Sequence, residues 1–194
     1  MKIEKWFCTP IWFEHLEFDT KKIAKKCLQL RESGFPDRKF SNEGGWQSRD
    51  INLEEHYELI DVKKILDEKI IELSRTFSPN LELFLGNVWI NINEKGCRNV
   101  KHLHPGSALS GTIYIQTDNN TGNIVFFNDH SPMQHYTLQP GNNADLFQKK
   151  VTYHPKDGMI IFFPSWIPHL VQPSNSDLPR ISISFNISQK IHGL

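Results

Sequence analysis

The chain has 194 residues, and its 22 Lys and Arg balance 22 Asp and Glu, so the formal net charge is zero. This length can bury a sizeable core, and a single domain spanning residues 1–194 is expected. The balanced charge offers no field for nucleic acid or an anionic membrane, and no apolar run approaches the roughly 18 residues of a membrane span. Three scattered cysteines without a CxxC pair, and an N-terminus without an apolar signal region, predict a cytoplasmic protein.

The first 80 or so residues are predicted to be extended and then helical. Asp19 or Thr20 can cap a helix that runs to about Glu32, where Gly34 would stop it. A longer pattern over 54–77 repeats apolar residues at helical spacing, which predicts an amphipathic helix that covers a sheet.

The polar stretch SNEGGWQSRD, residues 41–50, separates the two predicted helices. It is typical of a surface loop, and it is also compatible with the edge of a binding site, because Trp46 stands beside a glutamine and an arginine in a long connection. Trp46 is therefore one candidate for the wall of a substrate pocket.

After the second helix the sequence changes to short apolar or alternating runs separated by turn residues. The predicted strands are 81–93, 109–116, 123–127, 135–138, 147–153, 159–163, 170–173 and 180–187, with a turn at 140–143. Helices followed by about eight short strands predict an α+β, mainly β fold. The expected architecture is a double-sheet jelly roll over about residues 81–188, braced by the N-terminal helices.

Three histidines indicate a metal site. His102 and His104 stand one residue apart before the strand 109–116, and side chains two apart on an extended backbone point to the same face. His169 follows the buried strand 159–163. Because imidazole is the commonest metal ligand near neutral pH, the three together predict a metal centre, although a His-x-His pair alone is equally typical of a surface.

The third ligand has two interpretations. An oxygen-activating iron site usually takes two histidines and a carboxylate on one face, and His104 stands where the carboxylate would be expected. Strand geometry allows His104 to complete a three-histidine face. It equally allows His104 to hydrogen-bond behind the other ligands, which would leave a position for water, another anion or a halide.

Arg180 opens the last predicted strand, and Ser182 shares its face. A buried arginine is costly unless an anion meets it, and its planar fork suits a carboxylate to which Ser182 can add a hydroxyl. The alternative is an ion pair with a local acid such as Asp177. The upstream His169 favours the anion.

Further pocket residues follow from strand parity and position. Trp89, Asn91 and Tyr114 are expected to line the pocket, with Asn91 and Tyr114 assigned to the cofactor and Trp89 to the substrate. Trp166, in the segment FFPSWIPH, is expected in the pocket wall.

The segments HLHPGSALSGTIYI, GNIVFF and GMIIFFPSWIPHLVQPSNSDLPRISISFN resemble the 2-oxoglutarate- and iron(II)-dependent oxygenases. The likeness covers about residues 41–187 and is greatest to a branch found in bacteria and their phages. It implies a double-stranded β-helix, Fe(II) and 2-oxoglutarate. It matches His102 and His169 to metal ligands and Arg180 with Ser182 to the co-substrate carboxylate site, while His104 replaces the superfamily's aspartate. The implied reaction uses O2 to hydroxylate an unidentified substrate, with release of succinate and CO2.

Two other functions fit the same residues. A three-histidine jelly roll could bind or cleave a small substrate without 2-oxoglutarate, and Arg180 would then be purely structural. A catalytically silent binding or structural module would keep the fold without the metal. The joint occurrence of three histidines and Arg180 favours the oxygenase.

Overall fold

The computed structural model describes residues 8–129 and 148–192. Within them the strands, in chain order, are β1 (Trp12–His15), β2 (Asn42–Glu43), β3 (Trp46–Gln47), β4 (Leu81–Asn93), β5 (Arg98–His102), β6 (Leu109–Gln116), β7 (Ile124–Phe127), β8 (Lys150–Tyr153), β9 (Met159–Pro164), β10 (His169–Val171) and β11 (Arg180–Ile191). The helices are α1 (Thr20–Glu32) and α2 (Ile60–Ser74). The predicted strand 135–138 and turn 140–143 lie outside the described residues.

The strands form two antiparallel sheets. The major sheet has the order β1-β9-β6-β11-β4-β3, and the minor sheet has the order β2-β5-β10-β7-β8. The non-consecutive neighbours are those of a double-stranded β-helix, in which the chain crosses repeatedly between two sheets. The predicted fold class, a mainly β jelly roll with N-terminal helices, is confirmed.

Helix α1 occupies the predicted segment. The Asp19 side chain accepts a hydrogen bond from the backbone N–H of Lys22 at 3.1 Å, which caps the free N-terminal amides. Gly34 follows the helix with φ of 77°, a left-handed conformation that glycine adopts without steric cost.

Helix α2 is shorter than the predicted 54–77. Two 3₁₀ turns, Leu53–Glu55 and Tyr57–Leu59, precede it, and His56 between them has an extended backbone with φ of −125° and ψ of 103°. An extended residue cannot join an α-helical hydrogen-bond ladder, so the regular helix begins only at Ile60. Neither described helix is long and apolar enough to cross a membrane.

The major sheet separates an apolar layer from a polar cavity. Buried residues of α1 and α2, such as Cys27 and Leu66, join one hydrophobic cluster with Ile90 and Ile183 of the central strands. Alternation then sends the intervening residues, Ser182 among them, to the opposite face, toward the minor sheet. The helices therefore stabilise the strands from outside, and the inner face is left for the site.

The stretch 41–50 contains structure that its polar composition does not indicate. Strand β2 pairs with β5, and strand β3 pairs with β4, so the stretch contributes one edge strand to each sheet. Gly44 connects them with φ of 77°. The stretch thereby lies across the open edge between the sheets.

Candidate active site

A cavity of about 570 Å³ lies between the two sheets. The inner faces of β4, β6 and β11 supply one wall, and β5 with β10 supplies the other. The three predicted histidines and Arg180 all line this space.

The three histidines come together where the two sheets approach each other. His102 ends β5 and His169 begins β10, and the two are paired across the antiparallel ladder. His104 lies in the connection after β5, where its backbone N–H donates to the carbonyl of Ser165 at 2.9 Å. The potential ligand atoms of the three side chains all lie within 4.8 Å of one another, close enough for one ion to contact all three.

Hydrogen bonds determine which ring nitrogen of His102 and His169 is free. Nδ1 of His102 is 2.7 Å from the carbonyl oxygen of Val100, and Nδ1 of His169 is 3.0 Å from that of Ile167. A backbone carbonyl only accepts, so each Nδ1 must carry the proton. Nε2 of each ring therefore keeps its lone pair for a metal, the arrangement that ligating histidines usually show.

A chain of side-chain amides determines the tautomer of His104. Asp50 only accepts, and it receives a hydrogen bond from Nδ2 of Asn87 at 3.2 Å. Oδ1 of Asn87 then receives one from Nδ2 of Asn186 at 2.9 Å, so Oδ1 of Asn186 faces His104 Nδ1 at 2.7 Å. Ser110 Oγ donates to the same oxygen at 2.7 Å. His104 consequently donates from Nδ1 and presents Nε2 to the cluster.

Burial keeps these imidazoles neutral. Desolvation lowers the pKa of His102, lowers that of His104 to about 4, and lowers that of His169 well below its ordinary value. A neutral imidazole has the lone pair that metal coordination requires. Three such donors fit a divalent first-row metal.

Arg180 lies in the same cavity with almost no exposure to solvent, at 2%. Its guanidinium donates to three neutral oxygens: Oδ1 of Asn93 at 2.9 Å, Oδ1 of Asn99 at 3.3 Å and the carbonyl of Gly122 at 3.2 Å. The backbone of Gly122 passes so close to that of Gln172 that a Cβ at residue 122 would overlap the carbonyl oxygen of Gln172. This position therefore requires glycine. Within the described residues no carboxylate forms an ion pair with Arg180.

The uncompensated charge of Arg180 points to an anionic ligand. Burial lowers the pKa of this guanidinium, but arginine remains a cation in proteins, so the desolvated charge is costly without an anion. The alternative partner, Asp177, is instead 2.7 Å from Nζ of Lys95, and it is exposed. The local ion pair considered for Arg180 is therefore absent.

Ser182, Asn91 and Tyr114 form a row beside Arg180. Ser182 is paired with Asn91 on one side and with Tyr114 on the other, and all three line the cavity. Burial raises the pKa of Tyr114 to about 12, so its phenol stays protonated and can donate to an anion. The structure thus places these predicted cofactor-binding residues next to the predicted anion site.

The three predicted substrate-pocket tryptophans occupy different environments. Trp89 lines the cavity, with its ring centroid 5.7 Å from that of His104. Trp46 is paired with Ile92 and packs against the helix-side core, so its neighbour Gln47 takes the place in the cavity wall. Trp166 is half exposed and belongs to the turn between β9 and β10, and it is not part of the described cavity wall. Trp89 therefore lines the cavity, whereas Trp46 and Trp166 lie outside its described wall.

Several polar residues of the site carry no recognisable signal in the sequence. The amides that orient His104 and Arg180, namely Asn87, Asn186, Asn93 and Asn99, were not assigned roles. The alternation of polar residues on β4 and β11 puts three of these amides on the cavity face. It does not show which of them hydrogen-bonds to the ring of His104 and which to the guanidinium of Arg180.

Comparisons with known proteins agree with this geometry. The profile of the family described as "Putative 2OG-Fe(II) oxygenase" matches residues 87–186, about half of the chain, from β4 to β11. No curated protein matches the sequence.

The solved structures that the chain resembles share its fold at low sequence identity. A prolyl-4-hydroxylase from Pseudomonas putida is 13% identical with a TM-score of 0.68, over 93% of this chain and 92% of that one. A prolyl hydroxylase from Trichoplax adhaerens, solved with a hypoxia inducible factor peptide, is 13% identical with a TM-score of 0.67, over 92% and 83%. HygX from Streptomyces hygroscopicus, solved with nickel, 2-oxoglutarate and hygromycin B, is 10% identical with a TM-score of 0.59, over 93% and 83%.

These likenesses establish the jelly-roll fold, and the residues matched by the family model include all three histidines and Arg180. The family depends on Fe(II) and 2-oxoglutarate and uses O2. The chain belongs to the 2-oxoglutarate- and Fe(II)-dependent oxygenases.

Proposed function

We propose that the protein is a hydroxylase that uses Fe(II), 2-oxoglutarate and O2 to hydroxylate a C–H bond of a substrate still to be identified. Bound iron supplies the oxidising chemistry: one oxygen atom of O2 goes to the substrate, the other goes to succinate, and CO2 is released. One observation supports the proposal above all others. Three Nε2 atoms free for a metal share a cavity with a buried arginine for which the described residues supply no counter-ion.

His102, His104 and His169 would hold the iron. Backbone carbonyls orient two of these rings, and the amide of Asn186 orients the third. Because the rings are held by the protein itself, the site is preorganised and little conformational entropy is lost on metal binding. In this proposal His104 would be a ligand in place of the usual carboxylate.

Arg180 would bind the far carboxylate of 2-oxoglutarate. The hydroxyls of Ser182 and Tyr114, and the amide of Asn91, lie between Arg180 and the histidines on the same face. A charge-assisted contact with the guanidinium and a hydrogen bond from the neutral phenol would orient the co-substrate, and its 2-oxo acid end would then lie toward the metal. Trp89, next to His104, would form part of the wall on the substrate side.

Anaerobic titration of 2-oxoglutarate into the Fe(II)-loaded protein tests the proposal. A chelate absorption band should appear on titration and should be lost in His169→Ala, together with Fe(II)-dependent formation of succinate. His154→Ala is the matched control, because His154 is exposed and outside the cavity wall, and its band and turnover should be unchanged.

The same titration separates the other functions. A metal-loaded protein that gives no chelate band and no succinate would favour a three-histidine site that acts without 2-oxoglutarate. Failure to retain any metal would favour a binding or structural module. Undiminished turnover in His169→Ala would exclude the histidine cluster as the metal centre.

A further inference from the structure

The cavity wall has an imbalance of charge. Among the described residues that line it there are two arginines, Arg38 and Arg180, and neither Asp nor Glu. A histidine that donates from Nδ1 and binds metal through Nε2 is neutral, so His104 does not supply the negative charge that a carboxylate ligand would. A divalent metal and two guanidiniums would then exceed the two negative charges of 2-oxoglutarate.

Arg38 lies on the far side of the cavity from Arg180. Its backbone N–H donates to the carbonyl of Gln47 at 2.9 Å, which attaches residue 38 to the edge of the major sheet beside β3. Its guanidinium carbon is 5.4 Å from the ring centroid of Trp89, whose ring in turn lies near His104. Arg38 is therefore close to the metal end of the cavity, where a substrate would enter.

The guanidinium of Arg38 is held in place but is not saturated. Nη2 forms an ion pair of 2.8 Å with Asp50. Among the described residues, the buried Nε finds no acceptor and Nη1 makes no hydrogen bond. Asp50 is half exposed and also accepts a hydrogen bond from Asn87. Solvent and this second contact therefore weaken the attraction between the Asp50 carboxylate and the Arg38 guanidinium. The ring of Phe40, 5.0 Å from the guanidinium carbon, restricts it from the other side.

The rim next to Arg38 is apolar. Phe40 is 75% exposed and Leu103 is 44% exposed, and both line the mouth of the cavity. An arginine beside exposed apolar side chains is a combination that binds a molecule with an anionic group on an apolar body.

We propose that Arg38 is a specificity residue that binds an anionic group, a carboxylate or a phosphate, of the primary substrate, while Phe40 and Leu103 contact its apolar part. The proposal rests on the proposed function, because it takes 2-oxoglutarate to occupy Arg180 and leaves Arg38 for the substrate. The negative charge that a carboxylate ligand would bring to such a site, and that the neutral His104 does not, is supplied in this proposal by the substrate.

Binding of simple probes tests this class of substrate without turnover. The protein is loaded with Zn(II), which does not support oxidation, and is saturated with 2-oxoglutarate so that Arg180 is occupied. Calorimetric titration then compares phenylacetate and phenyl phosphate with phenylacetamide, a neutral analogue of phenylacetate. Either anion should bind about tenfold more tightly than the amide, as expected for one charge-assisted hydrogen bond. The tighter of the two anions identifies carboxylate or phosphate as the group.

Variants assign the preference to Arg38. Arg38→Gln should abolish the preference for an anion, and Arg38→Lys should retain part of it, because the charge remains but the planar fork is lost. Arg31→Gln is the matched control, since Arg31 also pairs with a carboxylate, Glu94 at 3.0 Å, but lies outside the cavity wall. Unchanged affinities for Zn(II) and 2-oxoglutarate in Arg38→Gln verify that the variant keeps its fold.

The possible failures are distinguishable. If 2-oxoglutarate does not bind the Zn(II)-loaded protein, the proposed function is wrong whatever the probes do. If 2-oxoglutarate binds but the amide binds as tightly as the anions, or Arg38→Gln keeps the preference, the role of Arg38 is wrong and the proposed function stands.

Discussion

The two faces of the major sheet are made by the same strands and do opposite things. On the helix side, Ile181, Ile183 and Phe185 of β11 are completely buried in an aliphatic core. On the cavity side, the alternate residues Arg180 and Ser182 are polar and line the site. The comparison shows that one strand can provide stability with one set of side chains and chemistry with the next, because successive side chains point to opposite faces. A substitution on either face should therefore change one property and spare the other.

The largest effect is expected on the helix side. Ile183→Ala should lower the free energy of unfolding by about 2–5 kcal/mol, because it removes buried methyl groups and leaves a cavity in the core. Urea denaturation measures this change. The neighbouring Ser184→Ala should cost less, about 0.5–1.5 kcal/mol for each of the two hydrogen bonds that it removes, one with Asn91 and one with Thr112. Equal losses of unfolding free energy in the two variants would contradict the conclusion that the helix-side face contributes more to stability than the cavity-side face.

On the cavity side the largest effect is expected at His104, the proposed third ligand. His104→Ala should weaken metal binding by about a hundredfold, whereas His104→Asp should retain most of the affinity, because an aspartate supplies the carboxylate that such sites usually contain. Competition with a metal chelator measures both affinities. If His104→Ala binds metal as the natural protein does, His104 only orients other groups and is not a ligand.

Removal of the buried charge should affect the co-substrate and spare the metal. Arg180→Met is expected to raise the Kd for 2-oxoglutarate by about a hundredfold, the size of effect that follows loss of one partner from a buried ion pair. The Kd of Arg180→Lys should lie between those of Arg180→Met and the natural protein, because lysine keeps the charge but lacks the planar fork of the guanidinium. Calorimetry on the Zn(II)-loaded protein gives these values. An unchanged Kd in Arg180→Met would place 2-oxoglutarate elsewhere.

Substitutions in the hydrogen-bonded chain Asp50–Asn87–Asn186 should weaken metal binding more when they lie nearer to His104. Asn186→Leu is expected to weaken metal binding by about 10–100-fold, because the ring of His104 loses the acceptor that orients it. Asp50→Asn should have a smaller effect, since Asp50 acts through two intervening amides and is half exposed. Chelator competition on both variants checks the order. The reverse order would mean that Asp50 acts by another route.

The smallest effect is expected when the folded protein is treated with thiol reagents, because two of its three cysteines are buried. Cys27 lies in the helix-side core, where burial raises the pKa of its thiol to about 12, and Cys97 is also buried. At pH 8 iodoacetamide should modify the exposed Cys8 and leave the other two intact until denaturant is added. Mass spectrometry of the labelled protein reports the sites. Rapid labelling of Cys27 in the folded protein would show that the core opens readily.

The bounds of some elements could be predicted from the sequence, whereas those of α2 and of the two-residue strands could not. The bounds of α1, β4 and β6 agree with prediction because each has a cap or a sustained periodicity. Strands β2 and β3 have two residues each, which is too few to show alternation, so the parity of Trp46 was not readable. Trp46 faces the core because it is paired with Ile92, a contact over a long sequence separation.

The sequence by itself determined the fold class and the faces of the long strands, and it singled out the three histidines and Arg180 as candidate site residues. These depend on local periodicity and on the motif HLHPGS with its distant partners. The tertiary structure alone decided that Asp177 pairs with Lys95, that the Asp50–Asn87–Asn186 chain orients His104, and that Arg38 lies beside Trp89. The physical reason is that a hydrogen bond between side chains depends on a few ångströms and on direction. Those quantities arise only when strands far apart in the chain are packed side by side.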